Sequence, residues 1–534
     1  MSISRRDLLK VGASVATLAA LPRPLLARLG PKPEPVPPIQ DPRLRGLALR
    51  AVDAARAAGA SYADVRLTHT RIRGFDPSIT QIRDGESMVV GVRALVDGYW
   101  GFASSPVWSP DELARLGREA VHQARANAIG PTRAMELAPV PAIADGHWVM
   151  PVEIDPFQTS PFEIVDYLAS LMYFIARHPD FSTVRNDCSF HVQEKAFASS
   201  DGSYCTQRLY RSEGAFSIKL ERKGKPVVSG ALDRLTPAGL GWELYKGQPL
   251  RDYIEQLMAE LEEDLRLPIE PVEVGRYDTV CDAWSVAQLL DDTLGRATEL
   301  DRALGYEANA GGTSYLRDPL TMLGSFEAGA PVLTVTANRS ERGGAATTKW
   351  DDEAVAPDDF TLVKKGILAD FQTTREGAGW LRPVYQKRGT AARSHGCAAA
   401  PSALEAPLTR TPNLALAPGG AKLDFDSATA NLGKGIAVRQ MGVDMDFQAS
   451  SGLGTGRVYR VKGGKRVARL NSAGFLFRAT DLWKGIAAMG GAESLRRFGL
   501  DSSKGEPAQT TYHSVTAPPA VFKELTLIDV MRKA

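Results

Sequence analysis

The stretch Leu289–Asp301, with the sequence LLDDTLGRATELD, opens the C-terminal half of the chain and is predicted to form a helix. Its charged residues fall close together, because Asp291 and Asp292 are followed by Arg296 and Glu299. Asp292 and Arg296 are four residues apart, so an ion pair between them would support a helix slightly. The pattern therefore has two interpretations, an ion-paired helix face and an acidic functional site.

The composition is that of a globular protein with two or three domains. The chain has 534 residues, of which 44% are hydrophobic and 24% are charged. The 64 basic and 62 acidic residues leave a net charge of only +2. This balance provides no broad positive surface for a phosphate backbone, so we predict no nucleic-acid partner.

The N-terminus carries the pattern of a twin-arginine export signal, predicted over residues 1–27. Ser4–Lys10 reads SRRDLLK and precedes the weakly apolar run VGASVATLAALP. The run is too short to span a membrane, and Pro22 and Pro24 end it. A Pro-rich linker is predicted over residues 28–42. We therefore expect a periplasmic or exported protein without a membrane span after signal cleavage.

The remaining sequence predicts a mixed α+β protein with two domains. The N-terminal domain, residues 43–271, combines amphipathic helices with long hairpins, and Asp97-Gly98 and Asp201-Gly202 are turn signals. Its predicted helices include Pro161–Arg177, with Ser160 as a cap. The strand-rich C-terminal domain, residues 272–534, follows the Pro268–Pro271 boundary.

Two further glycine patterns predict turns in the C-terminal domain. Lys365-Gly366 and Lys462–Lys465 each lie between two short strands and predict hairpins. Gly452–Gly456, GLGTG, precedes a strand rather than a helix, so we interpret it as a turn that allows close backbone approach rather than a phosphate loop.

These features together resemble the TldD/PmbA family, also called modulators of DNA gyrase. Besides Leu289–Asp301, the resemblance lies in the segments Gly59–Arg66, Gly91–Ser105, Gly312–Ser314, Gly366–Leu368 and Arg410–Asn413. It covers nearly the whole chain after the linker. The resemblance implies paired subunits, one carrying zinc and a sister lacking it, which enclose a sheltered cavity that admits unfolded or extended peptides.

The family's zinc helix has the motif HExxxH, in which two histidines bind zinc and the glutamate is the general base, and a later cysteine completes the site. Zinc needs neutral imidazoles or thiolates and one open position for water. Here the motif is replaced by Asp291-Asp292-Thr293-Leu294-Gly295-Arg296. The cysteine position falls near Ser502 or Ser503, and Glu299 matches an acidic residue of the family. A guanidinium at a ligand position would repel the cation.

The resemblance and this substitution together predict a metal-free subunit. We expect no cofactor in this chain, although zinc is the family cofactor, and we expect a homodimer or a heterodimer with a sister chain. Oxygen ligands from Asp291 and Glu299 would suit Mg²⁺ or Ca²⁺, but Arg296 argues against such a site.

Two alternatives to this function remain open at the level of sequence, and so does the pairing of two cysteines. A rebuilt hydrolase site would use Asp292 or Glu299, or a metal or Cys–His site formed by His395, Cys397 and His513. A non-catalytic binding or scaffold protein of the cell envelope is a second alternative. Cys188 and Cys205 flank a predicted hairpin, where a disulfide and two buried free thiols are both compatible with the spacing.

Overall fold

The computed structural model describes residues 41–77, 81–129, 135–420 and 422–531. The predicted signal, 1–27, and most of the predicted linker lie outside the described residues. The last two residues of the predicted linker, Asp41 and Pro42, are the cap and the first residue of the first helix. The side chain of Asp41 caps this helix by accepting a hydrogen bond from the backbone N–H of Arg43.

The N-terminal part of the chain forms one sheet that is covered by helices on one face. Its elements are α1 Pro42–Ala57, β1 Tyr62–Asp76, β2 Gln81–Val96, β3 Tyr99–Ser105, α2 Pro110–Ala126, β4 Gly146–Val149, α3 Pro161–Ala176, β5 Phe181–Ser199, β6 Tyr204–Leu220, β7 Val228–Ala231, α4 Glu243–Lys246 and α5 Leu250–Arg266. The strand order is β3-β2-β1-β5-β6-β4, and β7 pairs with β6. All pairs except β4–β6 are antiparallel.

The alternation of side chains along these strands separates an apolar face from a polar one. Buried residues of β1, β2 and β5 pack against α1 and α2, and those of β5 and β6 pack against α3 and α5. On the opposite face, β5 and β6 carry His191, Gln193, Lys195 and Arg211, with His191 directly across from Arg211. This polar face lies against segments of the C-terminal half.

The C-terminal part contains two larger sheets. Its elements are β8 Gly275–Cys281, α6 Ala283–Leu290, α7 Leu300–Ala303, α8 Pro319–Met322, β9 Val335–Asn338, β10 Phe360–Lys364, β11 Ile367–Leu368, α9 Arg375–Trp380, α10 Arg382–Lys387, β12 Ala398–Ala399, β13 Leu408–Thr409, β14 Asn413–Leu416, α11 Phe425–Leu432, β15 Lys434–Met445, β16 Ser451–Lys462, β17 Lys465–Arg469, β18 Ala473–Arg478, α12 Ala479–Lys484, β19 Ile486–Met489, β20 Arg496–Lys504, β21 Gln509–Ala517 and β22 Ala520–Asp529. One sheet has the order β11-β10-β9-β14-β21-β20.

The other sheet closes on itself. Its order is β15-β8-β22-β18-β16, and β15 pairs again with β16, so these five strands form a ring. Helix α6 lies between this ring and the six-stranded sheet, and Val286, Leu289 and Leu290 belong to the core that joins them. The fold is mixed α+β, as predicted.

The turn chemistry of the sequence predicted the hairpins well. Asp97-Gly98 joins β2 to β3 and Lys365-Gly366 joins β10 to β11, with positive φ at all four residues. The turn predicted for Gly452–Gly456 was wrong, because these residues lie inside β16. The predicted close approach is present, since a Cβ on Gly454 would lie 2.4 Å from the Sδ of Met441 on β15.

Two smaller predictions have different outcomes. The predicted cap at Ser160 was wrong in detail, because helix α3 begins at Pro161 without a side-chain hydrogen bond from Ser160. The two-thiol interpretation of Cys188 and Cys205 is confirmed, since both are buried and free. Cys188 lies opposite Gly214 and Cys205 opposite Phe197, far apart along the hairpin. Among the described residues, no helix is long and apolar enough to cross a membrane.

Candidate functional site

The continuous helix predicted over Leu289–Asp301 was wrong, because α6 ends at Leu290. A π-helical turn, Asp291–Gly295, and a 3-10 turn, Arg296–Thr298, follow before α7. The side-chain amide of Gln372 donates a 2.6 Å hydrogen bond to the carbonyl oxygen of Gly295, a group that a regular helix would use internally. Single π-helical turns occur frequently at functional sites.

The wide turn directs Asp291 toward β21, where it meets His513. The Nε2 of His513 lies 2.8 Å from Oδ1 of Asp291, and both side chains are buried. Burial by itself would raise the pKa of Asp291, but the charge and hydrogen bond of His513, together with Arg296, hold it below its ordinary value. The Nδ1 of His513 is buried and has no hydrogen-bond partner within the described residues.

The glycine of the altered motif is required by this contact. A Cβ on Gly295 would lie 2.7 Å from Oδ1 of Asp291 and 3.0 Å from Cδ1 of Leu414. Since the Leu414 atom is also fixed in the core, a side chain here would displace Asp291 from His513. A glycine is therefore needed at position 295 because there is no space for a side chain, and not because the backbone is left-handed there.

The ion pair predicted between Asp292 and Arg296 is confirmed, with Nε of Arg296 at 3.2 Å from Oδ1 of Asp292. Its surroundings differ from those of a solvated helix face, because the Asp292 side chain is only 7% exposed. Burial raises the pKa of Asp292 to about 7, and Asp291 adds to this rise while Arg296 opposes it.

Glu299 belongs to a second buried ion cluster that the sequence interpretation did not include. Nζ of Lys504 lies 3.0 Å from Oε2 of Glu299 and 2.8 Å from Oδ2 of Asp301. The backbone N–H and the hydroxyl of Thr411 both donate to the other oxygen of Glu299, at 3.1 Å. Burial alone would raise the pKa of Glu299, but the charges of Lys504, Arg302 and Arg410 outweigh this effect, so the pKa lies below its ordinary value.

The alternation of β20 contains the signal for this lysine. Phe498, Leu500, Ser502 and Lys504 are buried, whereas Asp501 and Ser503 are exposed. Of the two serines near the family's cysteine position, Ser502 faces inward and Ser503 does not. A lysine in phase with Phe498 and Leu500 must find carboxylates inside the protein.

These residues do not fit a zinc ion. Asp291 is bound by His513, Arg296 places a guanidinium at a ligand position, and Lys504 brings an ammonium group to Glu299. Within the described ranges, no group of three or more His, Cys, Asp or Glu side chains could hold a metal.

The alternative set of His395, Cys397 and His513 is not brought together as a site. His395 lies between two carboxylates, with Nδ1 2.9 Å from Asp358 and Nε2 3.2 Å from Asp370. Burial alone would lower the pKa of His395, but these two carboxylates raise it to about 9, so the ring is a cation at neutral pH. Cys397 is fully buried and burial raises the pKa of its thiol, while His513 is occupied by Asp291.

A cleft between the two halves of the chain is a separate feature. A cavity of about 380 Å³ lies between the polar face of the first sheet and the C-terminal segments Ala345–Thr348, Ala398–Ser402 and Thr510–Tyr512. A neighbouring cavity of about 520 Å³ shares Ile72, His191 and Tyr512 with it. Asp291 and Asp292 line neither cavity.

The acidic run Asp351–Glu353 reaches this cleft and was not recognised in the sequence, where such a run is usually solvated. All three residues are buried. Oδ1 of Asp352 lies 2.8 Å from Nζ of Lys195, and Arg66 lies 3.4 Å from its other oxygen. Three backbone N–H groups donate to the carboxylate of Asp351, whose pKa burial raises to about 7.

Comparison with known protein families defines the chain as a metallopeptidase-like protein. A family model described as the PmbA/TldA metallopeptidase C-terminal domain matches residues 274–529, and one described as PmbA/TldA metallopeptidase domain 1 matches residues 63–124. The chain belongs to the TldD/PmbA family.

Known relatives agree with this assignment. A metalloprotease of Methanocaldococcus jannaschii is 23% identical over 370 residues, which cover 67% of this chain and 74% of the relative. A Thermotoga maritima protein described as a modulator of DNA gyrase has a similar fold, with a TM-score of 0.67, 14% identity, and coverage of 91% of this chain and 100% of that one. TldE from Thermococcus kodakarensis also has a similar fold, with a TM-score of 0.67, 13% identity, and coverage of 89% of this chain and 98% of that one.

Proposed function

We propose that this chain is the metal-free member of a two-chain, peptidase-like assembly that acts on unfolded or extended peptides. The observation that carries this proposal is the replacement of the zinc motif by charges that neutralise each other. His513 pairs with Asp291, Arg296 pairs with Asp292, and Lys504 pairs with Glu299. Of these residues, Arg296 lies at a position for which the resemblance implies a zinc-binding histidine.

The strength of these pairs supports a structural role for the site. Removing one member of a buried ion pair leaves an uncompensated charge, which costs about 3–5 kcal/mol. A group that is held this firmly is poorly placed to accept a proton from water or to bind substrate. Glu299 is engaged in this way by Lys504, and His395 is held between two aspartates. Asp292 is paired with Arg296, but burial raises its pKa to about 7, so its part in the proposal is tested by the Asp292→Asn variant described below.

The N-terminal sheet offers a mode of peptide binding. β3 pairs only with residues Val90–Val96 of β2, so the outer edge of Gln81–Val89 has no strand partner within the described residues. Residues Gln81–Met88 are also exposed. An extended peptide that adds to such an edge is recognised through its backbone, with little demand on its side chains.

The proposal includes export. The arginine pair in Ser4–Lys10 supports transport through the twin-arginine pathway, which carries folded proteins, and we infer a periplasmic location for the assembly. Cell fractionation of the tagged chain, compared with a variant in which Arg5 and Arg6 are both replaced by lysine, tests this part separately.

The central test is metal content and peptide cleavage. The purified chain should contain far less than one zinc per molecule by elemental analysis and should not cleave an unstructured peptide. Co-purification with a family member that carries an intact HExxxH motif should give a stable complex whose zinc and cleavage depend on that partner. Stoichiometric zinc, or metal-dependent cleavage, in the isolated chain contradicts the proposal.

Two controls make the result specific. Mutation of the partner's motif glutamate should abolish cleavage by the complex without separating the chains. Mutation of Asp292 to Asn in this chain should leave cleavage unchanged, because Asp292 has no catalytic role in the proposal. A loss of activity with this variant would favour the rebuilt hydrolase instead.

A further inference from the structure

The interdomain cleft contains a cation without an anionic partner. The guanidinium of Arg211, on β6, lies over the ring of Tyr512 from β21, with its central carbon 3.9 Å from the ring centroid. Nε of Arg211 is buried, and within the part of the chain that the structure describes Arg211 makes no hydrogen bond or ion pair. This arrangement leaves the donor groups of the guanidinium free to bind a ligand.

Other cations that line the same cleft are already engaged. Lys195 is bound to Asp352 at 2.8 Å. Arg339 donates to the carbonyl oxygens of Ala346 and Gly396. Arg211 thus differs from its neighbours in the cleft, and the difference points to a partner that is supplied from outside the chain.

The nearest acid on the same strand does not satisfy Arg211. Glu213 instead lies 3.5 Å from Nε2 of His191. Burial lowers the pKa of Arg211, which is the sign of a charge whose lost hydration is not fully replaced. A guanidinium nevertheless stays protonated in proteins, so the cost persists until an anion binds.

The geometry favours a carboxylate as that anion. A guanidinium binds a carboxylate through two parallel hydrogen bonds, and stacking on an aromatic face fixes its plane without using its N–H groups. The cleft also contains the buried acids Asp351 and Asp352. These carboxylates would repel the higher charge of a phosphate more strongly than a single carboxylate charge.

The size of the cleft fits the end of a chain rather than a folded domain. Its volume of about 380 Å³ is at the lower end of the range for small-molecule sites. The segments Ala345–Thr348 and Ala398–Ser402 and the residue Thr70 line it. Such surroundings suit an extended peptide, whose backbone needs hydrogen-bond partners along its length.

We propose that the interdomain cleft binds a carboxylate of an extended peptide and that Arg211 is the residue that anchors it. That the carboxylate belongs to a peptide rests on the proposed function. That a carboxylate binds here rests on Arg211 and Tyr512 alone. The carboxylate is supplied by the C-terminus of the peptide or by an acidic side chain, and the two sources are separated by experiment.

The test compares three short N-acetylated peptides that differ only in their carboxylate. One is an alanine peptide with a free C-terminus, the second is its C-terminal amide, and the third is the amide with one internal glutamate. Binding to the full chain is measured by calorimetry and by the fluorescence of Trp350, which lines the cleft. We expect a carboxylate-bearing peptide to bind at least about tenfold more tightly than the plain amide.

The Arg211→Gln variant should remove this preference, so that acid and amide bind equally. Arg234→Gln is the matched control, because Arg234 lies over the ring of Tyr253 at the same 3.9 Å but does not line the cleft. The control should keep the preference of the unmodified chain. Equal thermal unfolding of both variants shows that any difference is local.

Each other outcome overturns part of the proposal. If all three peptides bind the unmodified chain equally, Arg211 is not the anchor, although the proposed peptide binding survives. If acetate binds through Arg211 but none of the peptides does, the carrier is not a peptide. If inorganic phosphate displaces the peptide acid at equal concentration, the site is a general anion site.

Discussion

Around Asp291 the buried charges are paired within the chain, whereas Arg211 in the interdomain cleft has no ionic partner among the described residues. His513, Arg296 and Lys504 each hold a carboxylate at 2.8–3.2 Å. Arg211 has only an aromatic ring. The two regions teach that a perturbed charge is weak evidence for function when its partner is internal, and stronger evidence when the partner is missing.

The largest effect is expected from breaking the paired region at Lys504. Lys504→Met leaves Glu299 and Asp301 buried without their cation, and should reduce the free energy of unfolding by about 3–5 kcal/mol. Urea unfolding followed by circular dichroism measures the loss. Lys523→Met is the control, because Lys523 is 60% exposed in its pair with Asp278, and should change stability by less than about 1 kcal/mol. Equal losses in both variants would contradict this assignment.

Asp292→Asn should increase the free energy of unfolding rather than reduce it. The folded-state pKa of Asp292 is about 7 against an ordinary value of 3.8, so ionisation of this carboxyl destabilises the fold as pH rises between these values. The asparagine variant should match the natural chain near pH 4 and exceed its stability by about 4 kcal/mol above pH 7. Urea midpoints at pH 4, 6 and 8 give the comparison, and a stability difference that is the same at all three would argue against a buried, titrating Asp292.

His395 is a paired cation whose charge can be removed by raising the pH. Its folded-state pKa of about 9 lies above the ordinary 6.5, so the protonated ring stabilises the fold fully below pH 6.5 and loses this effect as pH rises through 9. His395→Gln should therefore cost about 3 kcal/mol at pH 6 and much less at pH 10. The exposed His122→Gln serves as control for the loss of a surface imidazole and should change stability by less than about 1 kcal/mol.

The smallest effect on stability is expected from Arg211→Gln. Because no ion pair is lost, the free energy of unfolding should change by less than about 1 kcal/mol. A change similar to that of Lys504→Met would reveal an internal partner and would weaken the difference between the two regions. Differential scanning calorimetry of the two variants side by side makes this comparison directly.

Local sequence rules predicted much of the fold because local chemistry determines it. Asp97-Gly98 and Lys365-Gly366 supply the positive φ that tight hairpins need, and Ser109 caps helix α2 by accepting from the backbone of Glu112. The break in the helix after Leu290 could not be predicted in this way. At the end of the π-helical turn that follows Leu290, the carbonyl of Gly295 is bound by Gln372, which is distant in sequence.

For the residues of the candidate site, the sequence predicted one contact but not the others. The spacing of Asp292 and Arg296 was sufficient to predict their ion pair. The pairing of Asp291 with His513 joins residues that are 222 positions apart, and that of Glu299 with Lys504 spans 205. Sheet topology sets both contacts, so no local pattern could have identified them.

Closure of the five-stranded ring also bears on self-association. Exposed strand edges can pair with other copies of a chain and lead to aggregation, and a closed ring removes two such edges. The long open edge of β2 remains, and it carries Arg83, Asp84 and Glu86 within six residues. Charges at such spacing discourage identical edges from pairing while leaving the backbone available to an uncharged peptide. Under the proposed function, the same edge would accept an extended peptide as an added strand while its charges oppose pairing with a second copy.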